Sequence, residues 1–252
     1  MNTFGLLGFP LGHSFSQSYF NSKFKKLNLN DHRFLLFEHK SVSEFIPHLG
    51  NFDNLKGFSV TSPHKENIIP FLDALDEIAV QIGAVNCVKV VSENERKKLL
   101  GFNTDYYGFQ KSLRPFLEPV HQRALILGTG GAAKAVSFAL KKIGIEVWFV
   151  SRSTTSNNFE KKIFEYSDLN EHIMNSFKLI VNTTPAEMLF GPEAYPQIPY
   201  NILTNEHLCY DLIYQPEETE FLKRSKAFGA QTLNGLDMLY AQAEKSWEIW
   251  NE

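Results

Sequence analysis

A short apolar run that ends in a glycine-rich stretch constrains the fold of this chain more than any other feature. Ala124-Leu125-Ile126-Leu127 has the composition of a buried strand, and Gly128-Thr129-Gly130-Gly131-Ala132-Ala133 follows it and opens a helical pattern. Glycines at such a turn allow close approach of the backbone to a pyrophosphate, and the helix N-terminus supplies unpaired N–H groups. The stretch therefore predicts an α/β unit that binds a dinucleotide. Taken alone, it is equally compatible with a turn that only packs a helix onto a strand.

The next strand narrows the type of dinucleotide. A helix predicted over Lys134–Lys142 stops near Gly144, and Glu146–Val150 is predicted to be a buried parallel strand. An NAD site usually has an acidic residue just after this strand, which holds the ribose hydroxyls. Here the segment is Ser151-Arg152-Ser153-Thr154-Thr155-Ser156, with one arginine and no acid. Because a guanidinium suits a ribose 2′-phosphate, the segment favours NADP, with a solvated loop arginine as the alternative.

Composition argues against several other classes of protein. The 252 residues have a formal net charge of −3, which predicts neither a nucleic-acid-binding surface nor a basic membrane patch. Cys87 and Cys209 are the only cysteines, so neither a disulfide framework nor a thiolate zinc cluster is expected. We find no signal peptide pattern and no apolar run of bilayer length. We therefore expect a cytoplasmic protein, a monomer or homodimer, that binds a small molecule and no metal.

The alternation of strands and helices predicts two α/β domains, of which residues 1–104 form the first. Its sheet is expected to include an antiparallel pair, Val85–Val91 and Leu99–Phe102, joined by the charged turn Glu93–Lys98. Its other predicted elements are strands Thr3–Leu7, Phe34–Phe37 and Phe58–Thr61 and helices Ser16–Leu27 and Ala74–Ile82.

Residues 105–234 are predicted to form the second domain, a Rossmann-like, doubly wound sheet around the glycine-rich unit. Strands Leu179–Asn182 and Leu208–Ile213 continue its sheet. A C-terminal helix within 235–252 carries an apolar stripe broad enough to need a core, and we expect it to return to the first domain. The stripe comprises Leu236, Leu239, Tyr240, Ala243, Trp247 and Trp250.

Polar residues follow the strands of the first domain, where ligand sites of α/β proteins are built. Ser14 and Ser16 come after the first strand, and either could cap the next helix instead. Lys65 stands where a helix is expected to begin, a position that disfavours a cation unless a partner or a task holds it there. An ordinary surface lysine is the alternative.

Two further polar positions flank the antiparallel pair. Asn86 lies at the start of its first strand, where taken alone it is better explained by an ordinary structural role. Asp105 follows Asn103 and Thr104 at the end of its second strand. Asp105 could simply cap a helix that runs to about Leu113.

Together these clusters resemble the shikimate dehydrogenase family over nearly the whole chain. Seven motifs occur in the family's order, which is far more specific than any one of them. They are Gly8–Ser16 (G-x-P-x-x-H-S-x-S), Val60–Lys65 (V-T-x-P-x-K), Gly83–Asn86, Gly101–Asp105, Asn182–Pro185, Asp211–Thr219, and Asn234–Leu239 followed by Gln242.

The resemblance implies NADPH-dependent, reversible reduction of 3-dehydroshikimate to shikimate, a step in the biosynthesis of aromatic amino acids. It implies that Lys65 and Asp105 are the catalytic pair. This agrees with the chemistry, because hydride reduction of a ketone produces an alkoxide that needs a proton donor or a positive charge. The implied substrate-binding residues are Ser14, Ser16, Thr61, Asn86, Tyr214 and Gln242. The implied cofactor-binding residues are Gly128, Gly130, Gly131, Ala132, Arg152, Thr183 and Gly235.

Three departures from the family pattern affect the cofactor site. Ser151 and Ser156 stand where an asparagine and a second basic residue are common, which weakens the expected grip on NADP. Glu187 stands where a glycine is usual, so we expect this loop to run differently, and an acid beside cofactor phosphates would repel them. Two alternatives stay open: a preference for quinate, and a non-catalytic NADP(H)-binding regulatory protein, against which the retention of Lys65 and Asp105 argues.

Overall fold

The chain forms two compact units. The computed structural model describes residues 1–252 except His13, Asp53, 94–95, 153–161 and the side chain of Met188. The first unit comprises residues 1–104 and 243–252, and the second comprises residues 105–242. Each unit contains one six-stranded sheet, which confirms the predicted α/β class.

The first unit is built on a mixed sheet with the strand order β2-β1-β3-β5-β6-β4. Its strands are β1 (Asn2–Gly8), β2 (His32–Glu38), β3 (Leu55–Val60), β4 (Ala74–Leu75), β5 (Cys87–Glu93) and β6 (Arg96–Phe102). Its helices are α1 (Phe15–Lys26), α2 (Val42–Phe45) and α3 (Glu77–Ile82), with 3₁₀ segments at Ile46–Asn51 and Ile69–Phe71. Strand β1 runs parallel to both neighbours, whereas β5 runs antiparallel to both of its own. The predicted antiparallel pair is thus confirmed, although its second strand begins earlier than predicted, at Arg96.

The predicted helix Ala74–Ile82 is wrong at its start. Ala74 and Leu75 pair in parallel with Leu100 and Gly101 as β4. The helix begins only after Asp76, whose carboxylate accepts from the backbone N–H of Ala79 at 2.9 Å. An N-cap of this kind satisfies N–H groups that the first turn leaves unpaired, so the cap sets the boundary.

Aromatic side chains fill one face of the first sheet and receive the end of the C-terminal helix. Trp250 is 5% exposed, and its indole N–H donates to the carbonyl of Val88 at 3.0 Å. A Cβ at Gly57 would overlap this indole, so glycine is required on β3 at that point. The ring cluster consists of Phe4, Phe20, Phe24, Phe34, Trp247 and Trp250. Burial of each such ring contributes about 1.5–3 kcal/mol, which holds the helix end in this unit.

The second unit contains an all-parallel sheet with the strand order β12-β11-β10-β7-β8-β9. Its strands are β7 (Arg123–Leu127), β8 (Glu146–Ser151), β9 (Ile163–Glu165), β10 (Leu179–Asn182), β11 (Leu208–Asp211) and β12 (Gln231–Leu233). Its helices are α4 (Asp105–Leu113), α5 (Gly131–Lys142), α6 (Glu171–Ser176), α7 (Ala186–Phe190), α8 (Glu220–Ala227) and the start of α9 (Leu236–Asn251). Three 3₁₀ segments also occur, at Arg114–Phe116, Tyr166–Asp168 and Tyr200–Ile202. Read from β9, this is the 3-2-1-4-5-6 order of a doubly wound dinucleotide fold.

The buried face of α9 differs from the predicted stripe. Tyr240 is 42% exposed, whereas Met238 and Ala241 are buried. The reason lies at Gly108 on α4, where an added Cβ would come within 2.6–3.0 Å of Met238 and Gln242. This close helix contact turns Met238 and Gln242 inward and leaves Tyr240 at the surface. None of the helices in the described parts of the chain is long and apolar enough to cross a membrane.

Candidate active site

The two predicted substrate serines lie at the start of α1, just after β1. Ser14 occupies the N-cap position, but its side chain makes no capping hydrogen bond. Ser16 lies inside the first turn of the helix. Both side chains are half-buried. Neither serine therefore serves as a side-chain cap, and the capping alternative loses its support.

Lys65 is held by a turn that follows β3. The N–H of Thr61 donates to the carbonyl of Leu7 at 2.8 Å, which prolongs the pairing of β3 with β1. The carbonyl of Lys65 accepts from the N–H of Val85 at 2.7 Å. In an α-helix that carbonyl would accept from Ile69, whose N–H instead bonds to Glu66 at 3.2 Å. The expected helix start at Lys65 is therefore wrong, and the argument from the helix dipole does not apply there.

Asn86 and Thr104 join the start of β5 to the end of β6. The amide of Asn86 donates to the hydroxyl of Thr104 at 3.0 Å and accepts from the N–H of Thr104 at 2.6 Å. The hydroxyl of Thr104 also lies 3.0 Å from that of Ser246. All three side chains are buried. Asn86 thus has a structural role in addition to its predicted contact with substrate.

Three of the predicted catalytic and substrate-binding residues belong to the second unit. Asp105 is the first residue of α4, which ends at Leu113 as predicted, and it is 5% exposed. The buried amide of Gln242 donates to the carbonyl of Leu239 at 3.0 Å. Tyr214 is half-buried, and this burial raises the pKa of its phenol. The contact of α4 with α9 at Gly108 brings Gln242 to within one helical turn of Asp105 along α4.

The glycine-rich turn has the shape that a dinucleotide requires. Gly128 has φ of +106°, and an added Cβ would lie 2.9 Å from the hydroxyl oxygen of Thr183. That hydroxyl donates to the carbonyl of Leu127 at 2.7 Å, which joins β10 to the end of β7. Nothing lies within 4 Å of a Cβ at Gly130, and Gly131 begins α5.

This turn lies at the carboxyl end of β7, between β8 and β10, where the direction of the strand order reverses. Ligands of doubly wound sheets bind at this switch point. A turn that only packed the helix would not need open space at Gly130, so the residues present fit a dinucleotide.

Arg152 follows β8 and is exposed. Burial raises the pKa of the Tyr166 phenol to about 12, and the positive charge of Arg152 acts against this rise. Arg152 thus directly follows β8, the strand after which a contact with a 2′-phosphate is predicted. Ser153–Ser156, with the predicted departure at Ser156, lie outside the residues that the structure describes.

Glu187 has a role that the sequence did not predict. Its side chain is buried, and its two carboxylate oxygens accept from the N–H of Glu220 at 2.9 and 3.0 Å. This N–H belongs to the first residue of α8, and a helix N-terminus favours negative charge. The expected repulsion of cofactor phosphates assumed an acid that faces them, whereas this carboxylate is bound to a helix end.

The sequence also did not predict a buried hydrogen-bond network at the end of β11. Asp211 is fully buried and accepts from the amide of Asn182 at 3.1 Å, the N–H of Ile213 at 3.0 Å and the hydroxyl of Thr219 at 2.7 Å. Because its carboxylate bonds to Ile213, the chain leaves the sheet after Asp211, and the predicted strand to Ile213 is too long. Burial raises the pKa of Asp211 to about 6 despite these bonds.

Gly235 has a packing role at the start of α9. A Cβ at this position would overlap the carbonyl of Leu212, so only glycine fits. In the part of the chain that the structure describes, no group of three or more His, Cys, Asp or Glu side chains is arranged to hold a metal ion.

Comparisons with known proteins agree with this geometry. Residues 6–88 match the model of the shikimate dehydrogenase substrate binding domain. Shikimate dehydrogenase (NADP(+)) of Methanococcus maripaludis is 38% identical over 259 residues, which cover 98% of this chain and 90% of the relative. The corresponding protein of Desulforamulus reducens is 34% identical over 98% of this chain and 88% of its own length.

Solved structures give the same result for the fold. The crystal structure of shikimate dehydrogenase from Aquifex aeolicus has a TM-score of 0.86 and 36% identity, covering 100% of this chain and 92% of that one. The enzyme from Thermus thermophilus, in complex with NADP(H) and shikimate, has a TM-score of 0.84 and 32% identity, covering 99% and 93%. The chain therefore belongs to the shikimate dehydrogenase family.

Proposed function

We propose that this protein catalyses the reversible, NADPH-dependent reduction of 3-dehydroshikimate to shikimate in the cytoplasm. The observation that carries the proposal is the end-to-end match, over 98% of the chain, with relatives named shikimate dehydrogenase (NADP(+)). Such a match includes both the dinucleotide-type sheet and the unit that bears the Ser14 and Lys65 motifs. A shared cofactor fold alone would match only the second unit.

The proposal assigns the substrate and the cofactor to two domains. Residues 1–104 with the C-terminal helix form the substrate domain, and residues 105–234 form the NADP domain. The groups that hold the carboxylate and hydroxyls of the substrate are Ser14, Ser16, Thr61, Asn86, Tyr214 and Gln242. Hydroxyls and amides both donate and accept hydrogen bonds, so this set suits a polyhydroxylated acid. The carboxylate of the substrate forms the strongest of these hydrogen bonds, because hydrogen bonds to a charged group are stronger than those between neutral groups.

The NADP domain uses the backbone more than side chains. The turn Gly128–Ala132 takes the pyrophosphate at the N-terminus of α5, and Arg152 takes the 2′-phosphate. Thr183 shapes the space next to this turn, since it bonds to Leu127, and Gly235, which packs on Leu212 after β11, completes the set of cofactor residues. When bound, NADPH supplies the hydride.

Lys65 and Asp105 carry out the proton transfer that accompanies hydride transfer. Hydride addition to the ketone carbon converts the carbonyl oxygen into an alkoxide, which gains one proton to become the hydroxyl. Lys65 donates this proton, and its positive charge stabilises the negative charge as it develops. Asp105 accepts a hydrogen bond from the ammonium group of Lys65 and so keeps that group oriented. In the reverse direction the same pair removes the hydroxyl proton.

Steady-state turnover tests the proposal. The purified chain is assayed with shikimate and with quinate, each with NADP, by the absorbance of the reduced nicotinamide. Oxidation of shikimate with a kcat/KM well above that for quinate supports the proposal. A higher kcat/KM for quinate indicates a quinate enzyme, and NADP binding without turnover of either substrate indicates a non-catalytic protein. Either of the last two results contradicts the proposal.

A further inference from the structure

Three buried histidines use one ring nitrogen in the same way. Among the described residues, His64, His121 and His207 are each less than 5% exposed. The Nε2 atom of each lies near a backbone carbonyl: His39 at 2.8 Å, Glu206 at 3.2 Å and Met174 at 3.1 Å, respectively. A carbonyl oxygen can only accept, so Nε2 carries the hydrogen in all three, and Nδ1 of each neutral ring is an acceptor.

The three residues also end the same kind of turn. In each case the backbone N–H of the histidine donates to the carbonyl three residues earlier, at 2.9–3.0 Å. In His121 and His207, Nδ1 then accepts from the backbone N–H of that earlier residue, Glu118 or Thr204, at 2.9 Å. Both nitrogens of these two rings are therefore satisfied, as expected for structural histidines.

His64 departs from this pattern at Nδ1. The equivalent N–H belongs to Thr61, and it donates to the carbonyl of Leu7 in the sheet instead. Nδ1 of His64 is consequently the one buried side-chain N or O atom of the described chain that has no hydrogen-bond partner. An unpaired buried acceptor costs stability. An aromatic hydrocarbon side chain would fill the same space without that cost, so Nε2, which bonds to His39, is the atom that distinguishes an imidazole at this position.

The Nε2–H bond of His64 restrains the backbone next to Lys65. His64 directly precedes Lys65, and its bond to His39 ties this turn to the residue after β2. On the other side, the carbonyl of Lys65 accepts from Val85, just before β5. The backbone at Lys65 is thus fixed by bonds to two separate segments, one that follows β2 and one that precedes β5.

We infer that His64 is a positioning residue for Lys65. The hydrogen bond from its Nε2–H to the carbonyl of His39 fixes the position of the Lys65 backbone, from which the lysine side chain extends. This bond is made although Nδ1 of the same ring has no partner. The inference rests on the proposed function, in which Lys65 protonates the alkoxide. Loss of the bond lowers the rate of the chemical step more than it lowers ligand binding, because catalysis is more sensitive than binding to small displacements of reacting groups.

Two substitutions separate the hydrogen bond from the volume of the ring. His64→Gln can place an amide N–H near the position of Nε2, and His64→Phe fills the space of the ring without a donor. We expect His64→Phe to lower kcat by roughly 10–100-fold, and His64→Gln to stay within about threefold of the wild type. The KM for shikimate and the Kd for NADP should change much less than kcat in both variants.

His207→Phe is the matched control. His207 is equally buried and makes the same Nε2 bond, but its turn carries no predicted site residue. This variant should lower the melting temperature and leave kcat near the wild-type value. A fall in kcat from His64→Phe with no greater loss of thermal stability than in the control then indicates positioning, because the control loses stability without losing rate.

The following outcomes contradict the inference. A near-normal kcat in His64→Phe, or a His64→Gln variant as slow as His64→Phe, overturns it. If His64→Phe does not fold, His64→Asn replaces it, because its amide is too short to reach His39; equal rates for the Asn and Gln variants then overturn the inference. If Lys65→Met is inactive while the His64 variants are normal, only this inference fails. A wild type that does not oxidise shikimate contradicts the proposed function and this inference with it.

Discussion

Asp211 should make the stability of the second unit fall as the pH rises. Its carboxylate is fully buried at the end of β11, where it accepts hydrogen bonds from Asn182, Ile213 and Thr219. Burial raises its pKa, the charge of Glu187 adds to this rise, and the three hydrogen bonds lower the pKa by less, so that it lies at about 6 instead of 3.8. The folded state therefore holds this proton more tightly than the unfolded state does.

The sign and size of the effect follow from this difference. Below pH 3.8 both states are protonated and folding carries no penalty from this group. Between pH 3.8 and about 6 only the unfolded state ionises, so stability is lost as the pH rises; above about 6 the penalty is constant. A difference of about two pKa units corresponds to about 3 kcal/mol, of which about 2 kcal/mol develops between about pH 4.5 and 7.

Asp211→Asn isolates this contribution. The substitution keeps the size of the side chain and an acceptor for Asn182 and Ile213, and it removes the titrating proton. Loss of the acceptor for the Thr219 hydroxyl costs about 1 kcal/mol at every pH. Urea denaturation of both proteins, followed by circular dichroism between about pH 4.5 and 7, gives the difference in unfolding free energy. Other titrating groups cancel in that difference.

We expect the variant to gain about 2 kcal/mol relative to the wild type across this range. A difference that stays constant with pH would refute the reasoning, because it would mean that Asp211 has the same pKa in the folded and unfolded states.

Three further predictions concern single side chains. Arg152→Ala should raise the KM for NADP by tens-fold, the low end of the range for a charge-assisted contact of about 1.5–3 kcal/mol, and barely change that for NAD; equal losses for both cofactors in steady-state assays would contradict a 2′-phosphate contact. Ser14→Ala should weaken shikimate binding by about 0.5–1.5 kcal/mol without changing NADP binding, and a calorimetric loss in NADP affinity would count against its place in the substrate domain. Glu187→Ala should lower the unfolding free energy by about 0.5–2 kcal/mol in urea, because it removes an acceptor at the start of α8, with Glu187→Gln losing less; equal stability of all three proteins would show that the contact contributes nothing.

The sequence predicted the centre of the second unit in most detail. Strands β7 and β8 each carry an apolar run of four residues, β10 carries one of three, and a glycine-rich turn opens α5; these are strong local signals. Strands β4, β9 and β12 have only two or three residues each, too few to show a period of two. These short edge strands form because the sheet offers them partners, which a local pattern does not contain.

The ordered motifs predicted which segments carry the candidate site, but not what holds its side chains. Glu187 bonds to a helix that starts 33 residues later, and His64 bonds to a carbonyl 25 residues earlier. Neither partner could be inferred from the residues beside them, since only the fold brings these segments together. The placement of Lys65 at a helix start failed for the same reason, because the N–H of Val85 takes its carbonyl.

The most direct test of the account is a double-mutant cycle on Lys65 and Asp105. Lys65→Met, Asp105→Asn and the double variant are assayed for oxidation of shikimate with NADP. We expect Lys65→Met to lower kcat by roughly 10²–10⁴-fold with a smaller change in KM, as for the loss of one acid–base group. Because the two residues share one function, the double variant should lose much less than the product of the single losses. A near-normal kcat in Lys65→Met, or a double variant that loses the full product, would contradict the account.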